Sequence, residues 1–436
     1  MNQAPPVSGL LIAAPQSGSG KTVLTLALLR ALKNRGVDIC GAKAGPDFID
    51  PGFHALASGR QSFNLDPWAM PPNRLRMLAR RQASSHLLVE GMMGLFDGAA
   101  DGTGAAADLA QALDIPVLLI VDAQKQSHSI AALVRGFRDH RPGLHICGVI
   151  LNRTGSERHE AMLREALAVL GMPVLGTVRR SDSLHLPERH LGLVQAGEID
   201  GVSAFIEEAA RLVSQSVDLD GVMDAFAPVA AAAGTVPAMV PPAGHVAIAR
   251  DAAFTFLYPH QLDDWRRAGA EISFFSPLGD EVPDKSAGFV FLPGGYPELH
   301  AGQLAQAHRF KAALRDAASR NIPVHGECGG YMVLGEGIED KDANRHEMCG
   351  LLQLETSFAK RKLHLGYRNV RGLAGRFAGR HFAAHEFHYS VALKEQGAAL
   401  FSASDALGAD LGPCGLVHQS VSGSYMHLIE ERGVGA

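Results

Sequence analysis

The chain has no C-x-x-C pair, and its five cysteines, Cys40, Cys147, Cys328, Cys349 and Cys414, are odd in number and widely scattered. That pattern excludes a disulfide framework and a zinc clip and implies a reducing, cytoplasmic setting. No apolar run reaches the ~20 residues that would span a bilayer, and the polar, proline-bearing opening is not that of a signal peptide. Nor is there a long Lys/Arg run, and the formal net charge is -5, so the electrostatic footprint of a nucleic-acid or anionic-membrane binder is missing. The expected partners are small molecules. No internal repeat or low-complexity tract stands out, which leaves duplication unsupported.

What is present is apolar sequence in short runs. Apolar residues make up 47% and charged residues 19% of the 436 residues, enough for two cores at about 100–200 residues per domain. From Gly9 to about Val178 the runs Leu10–Ala14, Ile39–Lys43, His86–Glu90, Val117–Asp122, Cys147–Asn152 and Val174–Val178 alternate with amphipathic stretches. That alternation predicts an α/β fold with a parallel, doubly wound sheet. The segment TVLTLALLRALKNRG after Lys21 has helical spacing and closes on Gly36, a C-cap residue. The run AFAPVAAAAGTVPAMVPPAG reads as an interdomain connection. Beyond it, strand-like runs return at Val246–Ala249, Glu271–Phe275, Phe289–Pro293, Pro323–Glu327 and Ser424–Leu428. The expected division is a first domain over 1–213, a linker over 214–243 and a second α/β domain over 244–436.

In APQSGSGKT, from Ala14 to Thr22, a strand ends in a small-residue loop and a helix follows. Gly18 and Gly20 let backbone N–H groups face an anion, Lys21 can reach terminal phosphates, Thr22 can ligate Mg²⁺, and the helix N-terminus favours negative charge. Pro15 stands where the usual motif has its first glycine. In KAGPDFIDP, Lys43, Asp47 and Asp50 follow the second strand, where Asp47 would hold Mg²⁺ or position an acceptor; the competing reading is a Pro-Asp turn. Glu90 ends HLLVE before Gly91–Met92–Met93–Gly94, with Asp97 beyond, which suits a metal ligand. Asp122 and Asn152 close two further strands; the Asn152 amide could meet an adenine edge, or either residue could cap a helix.

The run IPVHGECGGYMVLG puts Cys328 after an apolar strand and before a Gly-Gly step into a helix, which resembles a nucleophile elbow. The helix N-terminus should lower the thiol pKa, with His427 in GSYMHL as the proton shuttle. Upstream, FLPGGYPE offers Gly294, Gly295 and Tyr296 as an oxyanion hole, an order that suits acyl transfer from an amide. The stretch HFAAHEFHYS carries His385, Glu386, His388 and Tyr389, but alternation on a strand should split these between two faces and disfavour a metal site.

Taken in order, APQSGSGKT, KAGPDFIDP, VEGMMGLFDG, FLPGGYPE, HGECGGYMVLG, HEFHYS and GSYMHL resemble, over nearly the whole chain, the cobyrinic or hydrogenobyrinic acid a,c-diamide synthases of corrin biosynthesis. The N-terminal half is similar to the dethiobiotin-synthetase group of P-loop folds. It lacks the extra early lysine of partition-type ATPases, since Gln16 and Ser17 fill that region. The C-terminal half resembles class I glutamine amidotransferases, whose triad adds a Glu two residues after the histidine. Ile429 occupies that place here, and Glu430 is expected on the opposite or a displaced side.

The resemblance implies a carbon–nitrogen ligase that uses ATP, Mg²⁺ and L-glutamine. Cys328 and His427 would be catalytic, with Gly294, Gly295, Tyr296 and Gly329 around the oxyanion and glutamine. Gly18, Ser19, Gly20, Lys21, Thr22 and Asn152 would bind ATP; Thr22, Asp47 and Glu90 would hold the metal; Lys43, Asp50 and Asp97 would serve the synthetase site. The implied substrate is a corrin ring amidated on its a and c side chains through acyl phosphates, with Arg361, His364, Tyr367, Arg368 and His388 near it. The ring stays open between hydrogenobyrinic acid, towards which the resemblance leans, cobyrinic acid and a nickel sirohydrochlorin. Two other readings stay open, a related and generally longer corrin amidase and a catalytically idle nucleotide-binding scaffold. No nucleic acid or membrane is expected as a partner, and a homodimer is left open.

Overall fold

The computed structural model describes residues 7–433 apart from residues 84, 182–183, 185–187, 190–191, 194, 199–200 and 235. The chain divides into two compact units, 1–237 and 238–436. Among the described residues no helix is long and apolar enough to cross a membrane.

The first unit is built on a parallel sheet in the order Phe63–Leu65, Ile39–Ala44, His86–Glu90, Ser8–Ala13, Val117–Asp122, Ile146–Thr154 and Val174–Arg179. Such a sheet is covered on both faces, so its strands read as unbroken apolar runs; Val117 to Val121 are all buried. The helix Lys21–Asn34 lays Leu24, Leu28, Leu29 and Leu32 into the core and ends before Gly36, whose φ of 82° is left-handed, as the sequence predicts. Part of the expected linker is folded onto this unit. The helix Val202–Ser216 is followed by Leu219–Asp224, whose N-cap Asp218 accepts from Gly221 N, and Ala227–Pro228 then pairs antiparallel with Ser8–Gly9. Leu219 and Val222 are buried, which explains why the chain stays attached here.

The second unit has a ten-stranded mixed sheet. Glu271–Phe275, His245–Ala249, Phe289–Leu292, Val324–Glu327 and Val421–Ser424 are parallel. Antiparallel strands Asp410–His418, Ala398–Asp405, His364–Gly372, His381–His388 and Met426–Arg432 continue it. The single terminal strand expected over Ser424–Leu428 is in fact two, parted at Tyr425. The first pairs with Val324–Glu327, and the second pairs with His381–His388 at the far end of the strand order. A smaller sheet joins Arg345–Glu347, Gly337–Glu339, Gln353–Ser357 and Val391–Gln396. Val324 and Phe310 belong to the main core on one face of the large sheet, while His325 and Glu327 alternate to the other.

Candidate active sites

In the first unit, charged side chains converge at the C-terminal ends of parallel strands. Glu90 stands directly opposite Lys43 in register, with the strand Ser8–Ala13 on its other side. Lys43 Nζ lies 3.0 Å from Glu90 Oε1 and 2.5 Å from Asp50 Oδ2. Thr22 Oγ1 donates to Glu90 Oε1 at 2.6 Å. Two residues that the sequence reading missed complete the cluster: His54 Nε2 sits 2.8 Å from Glu90 Oε2, and His54 Nδ1 sits 3.2 Å from Ser62 Oγ. A histidine between Phe53 and Ala55 carries no local signal; only the packing of the helix Asp50–Ser58 on the sheet brings it to Glu90.

Burial alone would raise the Glu90 carboxyl, but Lys43, His54 and Thr22 outweigh it and hold the group well below the usual carboxylate range. Asp50 moves the other way, pushed up by burial and by Asp47. Burial, helped by Lys43, lowers Lys21 to about 8, and its ammonium donates to Met93 O at 2.6 Å.

The remaining residues of this constellation hold loops in shape. Asp47 Oδ1 accepts from Ile49 N and Asp50 N, the turn geometry weighed from sequence. Asp97 Oδ2 accepts from Gly94 N at 2.9 Å. Asn152 Nδ2 donates to Ser19 O at 2.9 Å and its Oδ1 accepts from Arg153 N, so the structure places this amide under the phosphate loop rather than at an open edge. The approach is close enough that a Cβ on Gly20 would meet Asn152 Nδ2 at 2.3 Å, and Gly20 has φ of 87°. Arg153, also missed, bridges Gly18 O and Asp122 Oδ2.

The second site lies at the end of Val324–Glu327. Cys328 has φ of 47° and ψ of -105°, a strained conformation between the strand and the helix Gly329–Leu334, as an elbow requires. Its amide donates to Ser424 O, and its sulfur lies 3.8 Å from Phe387 O. The thiol pKa is not lowered as expected. Burial raises it, Glu298 adds to the rise, and the backbone amide of Gly329 opposes them only in part.

His427 is fully buried, and its pKa is lowered to about 3 by burial and by His385 and His388. A Cβ on Gly294 would lie 2.4 Å from His427 Cε1 and 3.3 Å from Cys328 Cβ, so the two side chains flank one glycine. Gly329 in turn packs against Gly295, its Cβ position being 3.1 Å from Gly295 N. Tyr296 is buried with its ring 5.2 Å from that of Phe256.

Glu430 corrects one expectation. Ala384 pairs with Leu428 but Ala383 pairs with Glu430, which leaves Ile429 as an extra, bulged residue. Directly opposed residues share a face, so Glu430 opposite Ala383 lies on the same side as His427 opposite His385. His364, Glu386 and His388 gather on the paired strands with ligand atoms within 4.8 Å of one another. Alternation thus keeps Glu386 and His388 together and parts them from His385. Arg368 already grips Glu386, with Nε 2.9 Å and Nη2 2.8 Å from Oε2.

Two comparisons bear on these sites. Residues 10–194 match the CobQ/CobB/MinD/ParA nucleotide binding domain, and residues 245–433 match the CobB/CobQ-like glutamine amidotransferase domain. The chain is 56% identical to a hydrogenobyrinate a,c-diamide synthase of Brucella anthropi, over 97% of this chain and 99% of that protein. It belongs to this family. A synthase of the same name from Rhizobium meliloti is 55% identical over 97% of this chain and 99% of its own length, and one from Mesorhizobium japonicum is 50% identical over 96% and 98%.

Proposed function

We propose that the chain is a cytoplasmic ligase that amidates the a and c carboxylates of hydrogenobyrinic acid, using ATP and ammonia released from glutamine. The observation that carries this reading is the presence on one chain of two sites with complementary chemistry. One is a phosphate loop whose Thr22 meets Glu90; the other is an elbow cysteine beside a buried histidine. The near full-length identity to synthases of that name supports the choice of ring.

At the first site the substrate carboxylate attacks the γ-phosphorus of ATP and ADP leaves, giving an acyl phosphate; ammonia then attacks the acyl carbon and phosphate leaves. Lys21 exchanges Met93 O for the terminal phosphates, and the N–H groups of Gly18 to Thr22 cradle them. The Thr22 hydroxyl and Glu90 carboxylate form a hard oxygen donor pair that suits Mg²⁺; with Asp47 they would hold it, and when bound it offsets charge on the β- and γ-phosphates. Lys43 and Asp50 keep Glu90 oriented.

At the second site the Cys328 thiol passes its proton to His427 as sulfur bonds to the glutamine carboxamide carbon. The oxyanion faces the backbone N–H groups of Gly295 and Tyr296. His427 returns the proton to the leaving nitrogen, ammonia departs, and water cleaves the thioester to glutamate.

The test is ATP-dependent glutamate release by purified protein with hydrogenobyrinic acid, cobyrinic acid or nickel sirohydrochlorin, with products read by mass spectrometry. Two successive exchanges of a hydroxyl for an amino group on hydrogenobyrinic acid support the reading. Product from another ring alone changes the substrate, and no product with any ring favours the idle scaffold.

A further inference from the structure

The residue two positions after His427 is Ile429, so the strand that carries the histidine offers no carboxylate at the usual place. A dyad still needs a group that fixes which imidazole nitrogen bears the proton. Glu327, immediately before the nucleophile, ends the elbow strand with its side chain directed at the terminal strand. Its Oε2 lies 3.9 Å from His427 Nδ1, and its Oε1 accepts from Leu428 N at 3.4 Å. The carboxyl is buried, 6% exposed, beside the fully buried imidazole.

We infer that Glu327 is the positioning residue of the glutaminase, accepting a hydrogen bond from His427 Nδ1–H and leaving Nε2 as the base for the Cys328 thiol. The inference rests on the glutaminase reading given above. The 3.9 Å separation is longer than a direct bond, but the terminal torsion of a glutamate is soft, and catalytic hydrogen bonds commonly tighten only when substrate binds. The arrangement also explains the sequence order: a carboxylate next to the nucleophile reaches the histidine from the elbow strand rather than from the histidine's own.

The ionisable groups facing Glu327 come from every side. His325 Nε2, on its own strand, is 3.9 Å from Oε1. Arg376, Arg380 and Glu431 line the same cavity of about 330 Å³, and Cys328 adjoins it in sequence. Burial nevertheless dominates and raises the carboxyl to about 8, while His427 stays neutral. The carboxylate can only accept, and so holds the proton on Nδ1; the protonated acid can also donate its O–H to Nδ1 and favour the other tautomer. Glutaminase activity should therefore rise with pH through about 8.

The experiment compares wild type, Glu327→Gln and Glu430→Gln by glutaminase kcat and KM across pH, and by ¹⁵N shifts of the His427 ring. The expected result for Glu327→Gln is a kcat loss on the order of 10²-fold with little change in KM, disappearance of the limb near pH 8, and a changed Nδ1 signal. Partial rescue of kcat by Glu327→Asp supports the same role. Wild-type kcat, pH profile and ring signal in Glu327→Gln overturn the inference, as does transfer of all three effects to Glu430→Gln. The isosteric amide keeps the buried volume, and the ring signal reports on His427 even if turnover is lost. If wild type itself shows no glutaminase activity, the functional reading fails; if only Glu327→Gln behaves as wild type, the inference alone fails.

Discussion

Thr22 Oγ1 donates to Glu90 Oε1 across 2.6 Å, tying the first turn of the helix after the phosphate loop to the end of the strand His86–Glu90. The same carboxylate balances Lys43 and meets His54, so one side chain ties the helix after the glycine-rich loop to the buried cluster. Glu90→Gln should destabilise the first unit by up to roughly 3–5 kcal/mol, because Lys43 loses one of its two buried carboxylate partners. The check is the denaturant midpoint of that unit together with ammonia-driven synthesis, which should also be lost. An unchanged midpoint would mean that Asp50 alone is enough for Lys43.

Nucleotide binding should take up protons near pH 8. Lys21 is lowered to about 8 in the free protein by burial and Lys43, and phosphates favour its charged form. Below that pH the amine is already charged and uptake vanishes; above it, binding restores the proton. Calorimetry of ATP binding in buffers of different ionisation enthalpy measures the uptake, and Lys21→Met should abolish it along with ATP-dependent amidation.

Gly294→Ala should separate the two half-reactions. The added Cβ would meet His427 Cε1 at 2.4 Å and Cys328 Cβ at 3.3 Å, so the histidine must move. A misplacement of this size costs about 10²-fold in rate. Glutamine-dependent synthesis should fall by that amount, while synthesis from free ammonium stays near wild type, both followed by product mass.

Phe310→Ala probes the second unit. Phe310 is fully buried in the same core as Val324 and Tyr331, and its truncation should cost roughly 3–5 kcal/mol. Unfolding followed by a probe in residues 238–436 should move to lower denaturant. ATP binding, which belongs to the first unit, should persist beyond that transition.

The parts that are local were readable from contiguous residues alone. The phosphate loop is a strand, a glycine turn and a helix within Ser8–Asn34, and the elbow is a strand, Cys328 and a Gly-Gly step within Val324–Leu334; in each, contiguous residues set the geometry. Parallel strands buried on both faces were equally legible as apolar runs. Tertiary structure decided what depends on partners far apart in sequence. His54 reaches Glu90 only through helix and strand packing, and Asn152 reaches Ser19 only because its strand end comes under the loop. The break at Tyr425 sends His427 onto a different strand, and the extra residue Ile429 turns Glu430 to the histidine's side. Neither feature has a composition signature, because pairing register and bulges are set by the neighbouring strand. The same holds for Glu327 and His427, far apart along the chain, which meet because the elbow strand pairs up to Ser424 and the chain turns into the histidine's strand just beyond it.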